Sequence, residues 1–470
     1  MKRIILIVFL LGSFYCADCQ PQFYERTYGF GRAVIITNAL NGNYIIGANT
    51  GTYPNNQAYY FLIDNNGDTL RTMSFLNLNL NCIRQTQEGG FVFIGDTGIY
   101  PYKTALAYKT DSVGNTLWYS SYPSDEWGTW GSSISSNYEN GYFISLVDDG
   151  LGPTNTYYII KTDSSGINLD TAIVQYPESS FLQDPNSMRV TPDSGLVVTT
   201  SVPIYGLTRI VKFDSNLNTQ WNKVYIDTTS TIELNGNSII SLNNGYLVTG
   251  YTTPLGGSAP ACGYLLKLDL NGDSVWSKEY CYSNIAVRFI SSAEDTQGNF
   301  YISGVFTDTS QHSLILIKTN SIGDTIWRRI FTGYGYAFPK CLILDNNQNP
   351  MVVGYTKDTI SSQDYIYLLK TDTSGNITST ENYYSSNKIK LNVFPNPVHS
   401  ILSIQYKDSK VKSYSYTLRN ILGQIILSEN KKSVHDYFSE TINFSLFPNG
   451  LYILETIVDG NRTIDKIVKY

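Results

Sequence analysis

The feature that most constrains this 470-residue chain is a pattern that returns seven times, about every fifty residues. Each copy opens on a turn followed by an apolar strand: NGNYIIG (41–47), GGFVFIG (89–95), NGYFIS (140–145), SGLVVT (194–199), NGYLVTG (244–250), GNFYISG (298–304) and NPMVVG (349–354). Aligning Tyr44, Phe91, Tyr142, Leu196, Tyr246, Phe300 and Met351 gives spacings of 47, 51, 54, 50, 54 and 51 residues. A period of this length marks stacked supersecondary units that bury their apolar faces only against one another.

One copy shows what the unit is. NSIISL (237–242) has strand composition, Asn243-Asn244-Gly245 supplies a turn, and YLVTGYT (246–252) is a second strand of β-branched and aromatic residues. A variable loop leads to GYLLKLD (263–269), a turn at Leu270-Asn271-Gly272, and DSVWSKEY (273–280). Four antiparallel strands per unit, without helical periodicity between them, predict an all-β chain with a seven-bladed β-propeller over residues 20–384. FYERTYG (23–29) resembles the fourth-strand endings of the repeats, so the N-terminus is expected to complete the last blade; ITSTENYY (377–384) competes for that place. SSNK (385–388) reads as a linker, because the repeat stops there.

The residues shared by the repeats have structural roles. Asp64, Asp111, Asp163, Asp214, Asp269, Asn320 and Asp372 stand where a side-chain oxygen caps the turn between third and fourth strands. Three residues later come Gly67, Gly114, Gly166, Gly272, Gly323 and Gly375, where a positive φ suits glycine. The fourth repeat has Leu217 there, so its turn is expected to differ. Trp118, Trp221, Trp276 and Trp327 are placed to fill the widening space between blades, and Lys109, Lys161, Lys212, Lys267, Lys318 and Lys370 to lie on an exposed or inter-blade face.

Residues 1–19 read as an export signal: Lys2 and Arg3, an apolar run from Ile4 to Leu11, and small Ala17 and Cys19 before Gln20. The run is far below the ~20 residues of a membrane span, and no later segment is apolar for long enough, so no transmembrane segment is expected in the mature chain. Losing Lys2, Arg3 and Asp18 leaves 31 basic and 38 acidic residues, a net charge of −7. No basic stretch is interleaved with aromatics, which argues against nucleic acid as a partner. Of the four remaining cysteines, Cys82 and Cys341 are expected as buried apolar side chains. Cys262 and Cys281 flank one hairpin: a two-residue Asn271-Gly272 turn sets them face to face for a disulfide, whereas a three-residue turn puts them out of register.

Sequence motifs for chemistry are sparse. His312 stands alone in the repeat region, in a loop beside Ser310 and Gln311, and no cysteine or histidine spacing fits a metal. DNNGD (64–68) and DLNGD (269–273) lack the distal ligands of a calcium loop and are read as turns. No catalytic residue, cofactor or metal is assigned. The loops between second and third strands should gather on one rim, where Tyr53, Tyr100, Tyr102, Tyr157 and Tyr205 are candidates to stack on a glycan or pack on a protein. Asp125, Glu126, Asp148 and Asp149 also lie in loops, so a glycan-acting hydrolase or lyase with carboxylates on the rim is the alternative.

Residues 389–470 are strand-like but carry elements foreign to the repeat: Pro395-Asn396-Pro397 after an apolar pair, Leu422-Gly423-Gln424, Pro448-Asn449-Gly450-Leu451-Tyr452, and Lys466 near the end. Composition predicts a small Ig-like β-sandwich, with the prolines ending a strand and Gly423 and Gly450 in turns. This series resembles the C-terminal sorting domain (type A) of proteins exported by the type IX secretion system of Bacteroidota. That family usually has Asp where this chain has Asn420. The resemblance implies passage through the periplasm, recognition by the type IX machinery, and a product that is secreted or held on the outer cell surface. The combined reading is an exported binding or adhesion module for an extracellular glycan or protein.

Overall fold

The structure, a computed structural model, describes residues 23–51, 56–99, 102–123, 128–148, 156–175, 187–202, 206–226, 232–254, 259–308, 311–332, 335–357, 363–377, 391–407, 413–420, 424–432, 437–458 and 461–469. The leader (1–19) and the linker (385–388) fall outside these residues. The chain forms two compact units, residues 1–380 and 381–470.

Among the described residues, the first unit consists of seven four-stranded antiparallel sheets. Sheet 1 contains Arg32–Asn38, Tyr44–Thr50, Gln57–Ile63 and Thr69–Leu76. Sheets 2 to 6 follow in chain order over residues 79–123, 129–175, 188–226, 232–280 and 286–331. Sheet 7 takes Tyr336–Leu344, Pro350–Lys357 and Asp364–Lys370 from the end of the repeat region. Its fourth strand is the N-terminal Tyr24–Phe30, which pairs with Asp364–Lys370. The first strand of each sheet packs against the first strand of the next, and that of sheet 7 packs against sheet 1. The sheets therefore form a closed, propeller-like ring.

Position in the ring explains strand composition. Second strands such as Tyr44–Thr50 and Phe91–Thr97 are buried on both faces, because a neighbouring sheet covers each side, and they read as continuous apolar runs. Fourth strands such as Thr69–Leu76, Thr116–Pro123 and Thr219–Ile226 alternate between exposed and half-buried residues. Six of the first strands carry a one-residue bulge, which adds Val34, Asn81, Ser132, Asn237, Ile290 and Lys340 respectively. Two of these extra residues reach the next sheet: Asn81 Nδ2 donates to Gly131 O at 2.6 Å, and Asn237 Nδ2 to Phe289 O at 2.7 Å. Just after the bulge, Cys82 and Cys341 are buried free thiols whose Sγ atoms donate to Ile134 O and Ile36 O of the following sheets, each at 3.5 Å.

The repeated Asp closes its turn by accepting two backbone N–H groups on one oxygen; Asp269 Oδ1 takes those of Asn271 (2.9 Å) and Asp273 (2.7 Å). The following glycine holds a positive φ and receives a side chain of the preceding sheet: a tryptophan at Gly166, Gly272, Gly323 and Gly375, Tyr24 at Gly67 and Met73 at Gly114. A Cβ on Gly272 would lie 3.0 Å from the Trp221 ring, and one on Gly166 would lie 2.8 Å from Trp118. The indole N–H groups of Trp118, Trp221 and Trp327 donate to Ser164 O, Leu270 O and Thr373 O in the next turn, at 3.0 to 3.2 Å. Lys109 and Lys212, opposite Trp118 and Trp221, are buried between sheets, and so is Lys370, opposite Tyr24. Lys370 Nζ, fully buried, lies 3.0 Å from Asp345 and 2.6 Å from Asn65 Oδ1 of sheet 1.

The turn at Leu217 does not differ, contrary to expectation. Leu217 adopts φ 61°, and Asp214 Oδ1 accepts from Asn216 and Asn218 as in the other sheets. The reason lies in sheet 3, where Asp170 stands opposite Lys161 in the place that tryptophan takes opposite Lys109 and Lys212. No indole covers this turn, and the Leu217 side chain fills the gap, 6% exposed, in a cluster with Ala172 and Val174 of sheet 3.

The Cys262 hairpin combines features that the sequence presents as alternatives. Gly272 is left-handed, φ 76°, but a bulge between Lys267 and Leu268 restores the facing register, Gly263 opposite Tyr280. Cys262 and Cys281 are bonded, with Cα atoms 4.6 Å apart.

The second unit has a three-stranded sheet (Leu391–Phe394, Ile401–Lys407, Tyr437–Asn443) and a four-stranded sheet in the order Ile425–Lys432, Ser413–Asn420, Gly450–Val458, Asn461–Lys469. Leu402, Ile404, Leu418, Phe444, Leu454 and Ile467 are fully buried in one core. Glu440 of the smaller sheet joins the two, accepting from Tyr414 Oη (2.6 Å) and Lys431 Nζ (2.8 Å).

Candidate functional site

The ring closes where the chain passes from Phe30 in sheet 7 to Arg32 in sheet 1, and a cleft of about 600 Å³ opens at this seam. The link runs close to the neighbouring strand: a Cβ on Gly31 (φ 132°) would lie 2.7 Å from Asn49 O. Gly31 N–H donates to Asp364 O at 2.9 Å. Arg32 Nε donates to Asp364 Oδ2 at 2.6 Å, and its guanidinium lies 4.9 Å from the centre of the Tyr355 ring. Asp364 Oδ1 is buried and has no hydrogen-bond partner among the described residues. Lys340, the bulge residue of sheet 7, adds a second cation to the lining, and Phe30, 54% exposed, packs its ring 5.1 Å from Tyr365. The cleft is thus lined by the Arg32–Asp364 ion pair, Lys340 and aromatic surface.

A second electrostatic feature lies on the first strands. Arg84 and Arg189 each donate to the preceding residue's carbonyl, Ile83 O and Met188 O, at 3.0 Å. Burial, and then the nearby Arg84 charge, hold Arg189 down to about 10.

The sequence candidates scatter. Tyr53, Tyr100 and Tyr205 lie outside the described residues, as do Asp125, Glu126 and Asp149. Tyr102 is 74% exposed, next to Lys103, whose ammonium lies 2.9 Å from Asp96. Tyr157 is buried, 1% exposed, beside Val147 and Trp130, so it offers no face to a ligand. His312 belongs to a strand, Gln311–Thr319, and not to a loop; its Nδ1 lies 2.9 Å from Thr307 Oγ1 and its ring packs on Phe338. Sequence reasoning missed the cleft, since its polar residues come from opposite ends of the repeat region.

In the second unit the spaced motif elements converge. Asn396 uses its side-chain amide as a rung on the last strand: Oδ1 accepts from Val468 N–H at 2.9 Å and Nδ2 donates to Lys466 O at 2.5 Å. Pro395 and Pro397 flank it, and Val398 N–H continues the contact to Val468 O at 2.7 Å. Tyr452 is buried against Phe444 and donates to Pro448 O at 2.7 Å. Gly450 pairs with Lys469, and Lys466 with Ile453. Gly423 lies outside the described residues. Asn420 Oδ1 accepts from Gln424 N–H at 3.0 Å, so the amide does the turn-closing that an aspartate does elsewhere.

Residues 392–470 match the family described as a secretion system C-terminal sorting domain. This stretch is a type IX sorting domain. The sorting domain sends the chain to the cell surface or the medium, and no described helix is long and apolar enough to cross a membrane. No curated protein matches the chain. Solved structures similar to the first unit include Sqt1 from Chaetomium thermophilum, at 10% identity and TM-score 0.45, covering 76% of this chain and 91% of that one. The β-propeller domain of the Trilobed protease from Pyrococcus furiosus aligns at 9% identity and TM-score 0.42, covering 76% and 100%. The WD40 domain of Toxoplasma gondii coronin aligns at 8% identity and TM-score 0.41, covering 76% and 89%.

Proposed function

We propose that the chain is a seven-bladed β-propeller from a member of the Bacteroidota, exported with a cleaved leader and an Ig-like sorting domain, and that the propeller binds an extracellular glycan or protein. The observation that supports binding is the seam cleft, where the Arg32–Asp364 pair, Lys340 and exposed Phe30 share one concave surface. The loop tyrosines, with Tyr102 exposed on its own segment, supply further contact surface under this reading. Two tests follow. A chain ending at Lys388, expressed in a type IX-competent host, is expected to stay in the periplasm; arrival at the surface refutes the address. The full chain incubated with a polysaccharide panel is expected to bind without producing new reducing or unsaturated ends. Turnover abolished by substituting one loop carboxylate would replace binding with hydrolase or lyase action.

A further inference from the structure

We propose that Arg84 and Arg189, carried on the first strands of sheets 2 and 4, form a site for a doubly charged oxyanion, sulfate or phosphate, at the centre of the ring. The site stands apart from the seam cleft and does not depend on what the cleft binds.

One level of the ring brings the two cations together. There the first strands contribute Thr37, Arg84, Ser135, Arg189, Ile240, Ala293 and Ile343, each opposite the corresponding residue of the second strand in its sheet. None of the seven is acidic. Arg189 interacts electrostatically with Arg84 and Cys82 of sheet 2 and with Cys341 of sheet 7, so its guanidinium reaches past the neighbouring sheets toward the middle of the ring. Arg84 uses one of its five N–H donors on Ile83 O, at 3.0 Å, and has no ion pair among the described residues. Ser187 extends the strand of Arg189 by one ladder bond, accepting from Thr199 N–H at 2.9 Å. It stands two residues before Arg189 and therefore on the same strand face. Its Oγ is buried and has no hydrogen-bond partner among the described residues.

These features call for the same ligand. Two like charges at one level repel, and burial removes the water that would screen them. Arg189 is held down to about 10 by that burial first and by Arg84 second. A dianion balances both charges, whereas a single carboxylate or a chloride leaves one over. Guanidinium groups present their donors in a planar fork that matches the edge of an oxyanion. The anion also gives the buried Ser187 hydroxyl an acceptor; water satisfies the hydroxyl but leaves the repulsion in place. The first strands together carry five basic and two acidic residues in a chain of net charge −6, so their field draws anions inward.

The test titrates the full chain with sulfate, phosphate, methyl phosphate and acetate at pH 8, in chloride at constant ionic strength, by calorimetry and thermal unfolding. Sulfate or phosphate is expected to bind at one site, at least tenfold tighter than acetate, and to raise the unfolding temperature. Arg84→Gln is expected to weaken the dianion at least tenfold, and Ser187→Ala two- to fivefold. Arg288→Gln removes an exposed first-strand arginine that lies 5.2 Å from the centre of the Tyr251 ring, and should leave the affinity within twofold. In chloride alone, Arg84→Gln should unfold no lower than wild type, because it removes one of two repelling charges. Methyl phosphate binding as tightly as phosphate assigns the anion to the end group of a larger molecule, and its exclusion assigns the free ion; both keep the site. No dianion binding, acetate binding as tightly as sulfate, or equal losses in Arg84→Gln and Arg288→Gln would remove it. An Arg84→Gln chain that unfolds below wild type in chloride overturns the repulsion that the site relieves.

Discussion

Leu217 offers a sharp test of how the sheets are fitted together. Replacing it with glycine gives the turn the residue that six other repeats use, and relieves a left-handed backbone worth about 1–2 kcal/mol. The same change empties the space where Asp170 stands in place of tryptophan. Truncating a buried leucine costs about 2–5 kcal/mol, including the cavity. The second effect wins, and Leu217→Gly is expected to destabilise by about 1–3 kcal/mol. With an m-value on the order of 3 kcal/mol/M in urea, the midpoint should fall by about 0.3–1 M. Asp170→Trp alone places an indole against the existing leucine and is expected to destabilise too. The double change recreates the Trp221–Gly272 arrangement and should recover at least half of the summed loss, a coupling above about 1 kcal/mol. Urea unfolding followed by circular dichroism measures all four proteins. If Leu217→Gly is neutral or stabilising, or if the double variant is simply additive, the leucine does not replace the missing indole and the argument fails.

Three further outcomes are expected. Lys370→Met strands Asp345 in a fully buried site and should cost about 3–5 kcal/mol; a loss below 1 kcal/mol in urea unfolding contradicts the burial described. Burial pushes Tyr44, Tyr246 and Tyr264 up to about 12 from 10.0. Their contribution to stability is intact below pH 10 and is lost as pH rises from 10 through 12, because only the unfolded chain then releases the protons. Equal thermal stability at pH 9 and 11 would refute this. Asn396→Ala removes two hydrogen bonds to the last strand. It should lower the amount of protein reaching the surface, with the full-length chain accumulating inside by immunoblot; wild-type export would show that the motif acts otherwise.

The strands and hairpins were legible because local chemistry writes them: an aspartate oxygen closing a turn, a glycine three residues on, an apolar run covered on both faces. Tyr452 donates to Pro448 only four residues away, whereas Asn396 meets Lys466 and Val468 70 and 72 residues on, a contact that no local pattern displays. The bulges of the first strands left little signal, since the extra residue is Val34, Asn81, Ser132, Asn237, Ile290 or Lys340 and only asparagine recurs. Leu217 misled because its partner position, Asp170, lies in the preceding repeat. The cleft was invisible because Arg32 and Asp364 are 332 residues apart and meet only once the ring has closed.

The N-terminal strand has a consequence for the order of events during synthesis. It leaves the ribosome before every other strand of the ring, yet its partners arrive last: Tyr367 Oη reaches Glu25 across 342 residues. Contacts of such sequence separation form late and slowly. The sorting domain lies beyond the final piece that closure requires, so a chain that stops short of completing its ring also lacks its export label. Translation order thereby screens incomplete molecules before any machinery inspects them.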